Sequence, residues 1–351
     1  LATILSHLFR LRLRWRLRYN NHEWNLMLSA LIASALLFDF LNGFHDSANL
    51  VATMIASRAV SPRRALALSA AAEFVGPFLF GVAVAVTVGK GLLDPDAVTL
   101  PVVLAAVWAA IGWNLLTWYF GLPSSSSHAL VGGLLGAAVL SGGWRVVQLR
   151  GLFTVLLALF FSPVLGLLAG WLIMRLVLFL ARGATPRINT AFKRGQVLTS
   201  IGLALSHGSN DAQKTMGIIT LGLVVSGAVD SFSVPLWVVV ASAGAIALGI
   251  ASGGWRLIRT LGVRIYQIRP VHGFSSQISA AGVIMAAALA GGPVSTTHVV
   301  SSAIMGVGGA EHPERVRWGV AAEMVRAWLL TIPATAAVSA LLLLAWRTIN
   351  R

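Results

Sequence analysis

Apolar residues run in long blocks separated by short polar gaps, and the blocks recur from residue 25 to residue 346. Many approach or exceed the ~20 residues needed to cross a hydrocarbon core. They lack the period-two alternation of outer-membrane strands. The pattern predicts membrane helices at about 25–42, 46–57, 65–88, 101–120, 126–142, 151–181, 197–209, 211–229, 235–252, 272–290, 295–310 and 319–346. As one straight helix, the stretch 25–57 would overrun a ~30 Å core, so a break is expected near Asn42-Gly43. The stretch 196–229 has the same form, with a break expected at His207-Gly208. Interrupted apolar segments at matched places in two halves point to a transport site near the bilayer midplane.

Composition strengthens the membrane reading. The chain has 351 residues, 57% hydrophobic and 11% charged, with a mean hydropathy of +0.82. A soluble protein of this size needs more charge to cover its surface. The net charge of +15 does not point to nucleic acid. Its basic residues fall in gaps at 10–18, 58–64, 182–194, 256–269 and 315–317, as in cytoplasmic loops. Without Cys, no disulfide or thiol chemistry is available.

The expected organisation is a basic arm (1–24), a first membrane repeat (25–181), a basic linker (182–196), a second repeat (197–346) and a short tail (347–351). The arm alternates apolar and basic residues over 9–19 and is expected to lie on anionic headgroups, with Trp15 and Tyr19 at the interface. Arg256, Arg259, Tyr266 and Arg269 are expected on a short surface helix. Most of the twelve Trp residues read as interfacial anchors.

The candidate chemistry sits inside the apolar blocks. Gly43-Phe44-His45-Asp46-Ser47-Ala48-Asn49 and Gly208-Ser209-Asn210-Asp211-Ala212-Gln213-Lys214 each carry a costly buried acid. Each is followed by a hydroxyl cluster ending in His, namely Pro123-Ser124-Ser125-Ser126-Ser127-His128 and Pro293-Val294-Ser295-Thr296-Thr297-His298. Asp46 and Asp211 occupy equivalent places and are the expected cation-handling acids, with His45, Asn210 and Glu73 as further coupling candidates. If the ion is Na⁺, Asp46, Asp211 and Asn210 would hold it with oxygen ligands. If it is H⁺, the acids would bind it directly. Ser124, Ser125, Ser126, Ser127, Ser295, Thr296 and Thr297, with Asn49 and Lys214, are the expected substrate ligands. Hydroxyls and free N–H groups at a helix start suit a tetrahedral oxyanion. An anion held beside acids needs companion cations, which is the logic of cotransport.

These four motifs, in this order, resemble those of the inorganic phosphate transporter (PiT) family of the bacterial low-affinity type, over residues 36–332. The resemblance implies an all-α polytopic membrane protein with two inverted repeats, broken helices and helical hairpins. It also implies a phosphate site between the repeats, coupling to Na⁺ or H⁺, and a homodimer. On this reading the chain is a symporter of a prokaryotic plasma membrane, not an enzyme, with no cofactor and no nucleic-acid partner. Its Gly-x-Asn-Asp motif falls on Gly208-Ser209-Asn210-Asp211 and on Gly43-Phe44-His45-Asp46, where His45 replaces Asn. His45 makes a proton-coupled variant plausible.

Several readings stay open at this stage. A sulfate permease on the same scaffold and a passive anion channel are alternatives. Lys214 could pair with Asp211 or with substrate. His128 and His298 could hold their turns or touch substrate. Asp39 reads as a helix-end residue near the interface. Gly132, Gly133, Gly306, Gly308 and Gly309 read as close helix packing.

Overall fold

The structure, a computed structural model, describes residues 21–94, 97–259 and 266–350. Most of the expected basic arm, and the 260–265 part of the expected surface helix, lie outside these residues. The described chain is helical throughout its regular elements. They are α1 (Asn21–Ala56), α2 (Pro62–Leu79), α3 (Ala83–Gly91), α4 (Leu100–Phe120), α5 (Ser126–Gly142), α6 (Leu149–Leu180), α7 (Ile188–Ser226), α8 (Leu236–Ser252), α9 (Trp255–Arg259), α10 (Pro270–Leu289), α11 (Thr296–Glu311) and α12 (Trp318–Ile349). Among the described residues, four helices are long and apolar enough to cross a membrane, namely Glu23–Ala56, Leu100–Phe120, Leu149–Leu180 and Ala321–Ile349. The pair α2 and α3 makes a fifth when taken as one span bent by 73°.

The expected breaks at Asn42-Gly43 and His207-Gly208 are absent: α1 and α7 run unbroken through both. A 36-residue helix is about 54 Å long, so α1 accommodates its length by tilt or by projecting past the core. The two glycines serve packing instead. A Cβ on Gly43 would collide with the Ile246 carbonyl, and one on Gly208 with the Glu73 carbonyl. The chain breaks elsewhere. Gly81, at φ +76°, separates α2 from α3, and Gly121 and Gly291, at φ +66° and +72°, end α4 and α10. After each of the latter the chain turns back through a proline into a short helix, α5 or α11. Thus α4–α5 and α10–α11 are two helical hairpins.

The packing repeats with the halves exchanged. α1 lies on α8 as α7 lies on α2, α5 on α12 as α11 on α6, and α4 on α1 as α10 on α7. The register matches at residue level. Gly76 of α2 meets the backbone of Leu205 and Ser209, and Gly249 of α8 meets that of Phe40 and Phe44. Phe40 and Phe44 precede Leu205 and Ser209 by 165 positions, the interval that also separates Asp46 from Asp211.

The outer helices α6 and α12 turn Phe153, Phe161, Leu172, Leu329 and Leu341 outward, as a lipid boundary requires. Their inner faces hold the hairpin helices. Gly166 and Gly170 of α6 admit the backbone of Val299 and Ala303, while Gly132 and Gly136 of α5 admit that of Ile332 and Ala336. Close packing therefore accounts for Gly132, Gly133 and Gly306, whereas Gly309 faces open space.

At the far end of the second hairpin, Arg269 and the His272 Nε2 (2.5 Å) both bond Glu311, clasping the start of α10 to the end of α11. Burial alone would raise the Glu311 carboxyl. Hydrogen bonds from Arg269 and His272 outweigh burial and hold its pKa at about 2.

Two predictions follow from these contacts. Gly43→Leu or Gly208→Leu is expected to cost ~1–3 kcal/mol or more through overpacking. A wild-type melting temperature for either purified variant would remove the packing role. The clasp contributes fully above the ordinary Glu value of about 4.3 and fades as pH falls toward the folded value of about 2. With the Arg269 side chain 55% exposed, its contribution is about 1 kcal/mol or less. The melting difference between wild type and Glu311→Gln should therefore shrink on acidification; a gap that is constant with pH would contradict this.

Candidate functional site

Helical spacing aligns the polar residues of α1 on one face. Asn42, Asp46, Asn49 and Thr53 follow one another at intervals of three or four residues. On α7, His207, Asp211 and Lys214 do the same. The starts of α5 and α11 supply the hydroxyls. In both hairpins the same cap forms the turn: the Ser125 side chain accepts from the His128 N–H (3.1 Å), and that of Ser295 from the His298 N–H (3.3 Å).

These four segments meet at one buried place. Asp46 Oδ1 accepts from Asn49 Nδ2 (2.7 Å) and Thr297 Oγ1 (2.7 Å). Asp211 Oδ2 accepts from Thr296 Oγ1 (2.9 Å) and Asn42 Nδ2 (3.4 Å). Adjacent hydroxyls at the start of α11 thus join the acid of one half to the acid of the other. His45 Nδ1 lies 3.4 Å from Asp46 Oδ1. Lys214 bonds Asp211 and donates to the Val294 carbonyl (3.0 Å). Of the two partners left open for Lys214, Asp211 is the one it meets here.

His207 is the residue that sequence reasoning did not assign. Its Nε2 stands 3.8 Å from Asp46 Oδ2 and 3.6 Å from Asp211 Oδ2, while its Nδ1 pairs with Glu73 Oε1 at 2.8 Å. Asn42 occupies the equivalent position, one turn before its own aspartate. That i, i+4 placement before each acid was the available signal.

The first-half hydroxyls are used differently. Ser124 accepts from Trp113 Nε1 (2.8 Å), Ser125 is the cap, and Ser127 donates to the Val294 carbonyl (3.1 Å). Ser126, at the first turn of α5, is 6% exposed. Asn210 points its Nδ2 at the Gly292 carbonyl (3.0 Å). The His128 and His298 rings approach to 4.6 Å, and His298 stacks on Trp328 at 3.8 Å. Trp328 is thus a buried pillar, not an interfacial anchor; its Nε1 donates to the Pro123 carbonyl (3.2 Å).

The residues fit a small hard cation. Asp46, His207 and Asp211 offer ligand atoms within 4.8 Å of one another. Asp46 Oδ2, Asn42 Oδ1 and Asn210 Oδ1 are buried oxygens without a donor. Ahead of the capped His128 and His298, the N–H groups of Ser126, Ser127, Thr296 and Thr297 precede the first intrahelical bonds, which suits an anion nearby.

Beyond Asn49, a chain of side-chain hydrogen bonds joins α1, α7 and α10. Gln277 Nε2 donates to Thr53 (3.0 Å), Thr199 to Gln277 Oε1 (2.6 Å) and Ser57 to Gln196 Oε1 (2.8 Å). In the other half, Gly222 and Leu31 replace Ser57 and Gln196 at the same 165-residue interval, and they too adjoin.

A polytopic bundle with two hairpins meeting over buried acids, each half contributing one, is the architecture of a membrane transport protein. The chain belongs to the phosphate transporter family, whose profile spans residues 42–339. A "Probable low-affinity inorganic phosphate transporter" of Rhizobium meliloti (strain 1021) is 44% identical over 317 residues, covering 90% of this chain and 95% of that one. A protein of Bacillus subtilis (strain 168) with the same description is 41% identical, with 90% and 96% covered. Among solved structures, "The sodium-dependent phosphate transporter" superposes with a TM-score of 0.85 at 26% identity, covering 92% of this chain and all of that one.

The buried pairing generates a prediction. Lys214→Met leaves the Asp211 carboxylate without its cation and should cost ~3–5 kcal/mol. Lys214→Met combined with Asp211→Asn should recover much of that loss. Additive losses in a double-mutant cycle on melting would show that the pair does not interact.

Proposed function

We propose that this chain is a secondary active symporter carrying inorganic phosphate across a prokaryotic plasma membrane, coupled to Na⁺ or H⁺. The observation that carries the reading is the shared anchoring of Asp46 and Asp211 by Thr297 and Thr296 at the start of one hairpin helix. A cation bound at the acids would draw on the same groups that orient those hydroxyls. Cation and anion occupancy are thereby linked through α11. The sodium dependence of the solved relative supports Na⁺; His45 and His207 beside the acids keep H⁺ in the test.

When bound, the cation would supply positive charge against the dianion, and Asp46, Asp211 and Asn42 would hold it. Ser126, Ser127, Thr296 and Thr297, with the N–H groups of the two helix starts, would orient the phosphate oxygens. We read the exchanged packing of the halves as an inverted repeat with its axis in the membrane plane. Rocking of one half against the other would then give alternating access.

Radiolabelled phosphate uptake into proteoliposomes, with Na⁺ and H⁺ gradients imposed separately, tests the reading. One gradient should drive accumulation. Asp46→Asn and Asp211→Asn should abolish it while the protein still inserts, and Ser126→Ala or Thr296→Ala should reduce it less. Uptake indifferent to both gradients would indicate a channel, and efficient competition by sulfate would indicate a broader oxyanion carrier.

A further inference from the structure

Four acids are buried among the described residues: Asp39, Asp46, Glu73 and Asp211. Three of them have partners. Asp46 has Asn49 and Thr297, Asp211 has Lys214 and Thr296, and Glu73 has His207. Asp39 differs. Its exposure is 0%, and no cationic, amide or imidazole group bonds its carboxylate, which has only the Thr215 hydroxyl within reach. It does not lie at a helix end, where the sequence pattern suggested it would. It sits at the middle of the Glu23–Ala56 span.

Asp39 is also separate from the site described above. It lies seven positions before Asp46, about 10 Å away along α1. Ala204 stands at the corresponding place in α7, so this acid is not one of the repeated set. The group set against it is the Thr215 hydroxyl of α7, itself fully buried. The charged groups whose fields reach it are Asp211, Glu73 and Lys214. Two of these are acids, and the third is already committed to Asp211 and the Val294 carbonyl. Lys214 is the one Lys or Arg buried among the described residues.

We infer that Asp39 and Thr215 form a second cation site, separate from Asp46 and Asp211, that takes one small monovalent cation, Na⁺ or H⁺. An isolated carboxylate in a low-dielectric interior demands a counter-charge. Carboxylate and hydroxyl oxygens are hard ligands suited to either ion. The inference rests on the symport reading and deepens it. A dianion entering a core already rich in acids needs more positive charge than one cation supplies, and Asp39 offers a place for it outside the phosphate path.

Two measurements on the full-length protein test this. Melting temperature is followed as NaCl replaces choline chloride at fixed pH, and then as pH varies at fixed Na⁺. In proteoliposomes, the gradient that just halts net phosphate flux gives the cation-to-phosphate ratio. Asp39→Asn should lower that ratio by one ion. It should also remove part of the melting shift with Na⁺ or with pH, which identifies the ion. Thr215→Val keeps the carboxylate and should weaken the apparent affinity for that ion several-fold at an unchanged ratio; it carries the test if Asp39→Asn does not fold. An unaltered ratio, affinity and melting response in the variants would overturn the second site while leaving symport intact. Wild-type uptake that ignores both gradients would sink symport and this site together.

Discussion

Asp46 and Asp211 meet where water is excluded, and that single proximity constrains the surrounding architecture. Like charges a few ångströms apart repel strongly in a low-dielectric interior. They are tolerated because donors converge on them from three helices: Asn42 and Asn49 from α1, Lys214 from α7, and Thr296 and Thr297 from α11. His207 stands between them with Glu73 at its back. Asp46 Oδ2 alone among the carboxylate oxygens of the two aspartates is left without a donor.

Holding the donors in range requires helices closer than ordinary side chains permit. The glycines at 43, 208, 76 and 249 each admit a neighbouring backbone. Their cost in helix propensity, ~1 kcal/mol apiece relative to Ala, is offset by contact of whole backbones. The same device seats the hairpin helices against α6 and α12. Packing and site are thus linked, since Gly166 and Gly170 seat the helix that carries Thr296 and Thr297, and Gly43 and Gly208 lie on the helices that carry Asp46 and Asp211.

The two halves share a scaffold but not a chemistry. Asn49 faces Asp46 where Lys214 faces Asp211, and Asn42 stands where His207 does. One end of the α1–α7 contact is closed by Ser57 and Gln196, the other by Gly222 and Leu31. The shared packing therefore carries a different set of polar groups in each half.

Much was legible in the chain itself. Long apolar blocks impose helices, because backbone groups in lipid must bond within their own segment. The duplicated Asp motifs and hydroxyl clusters announced a repeat and a buried polar site, since such groups are too costly in a membrane to be incidental. Local pattern could not reveal which groups meet. Gly43 and Gly208 read as breaks because a glycine's effect depends on what lies across from it, and only the tertiary structure put the Ile246 and Glu73 backbones there. His207 was given no role, and Asp39 was placed at a helix end, for the same reason. Whether a polar side chain is a site or a bystander is decided by partners from distant helices, and those become neighbours only when the chain has packed.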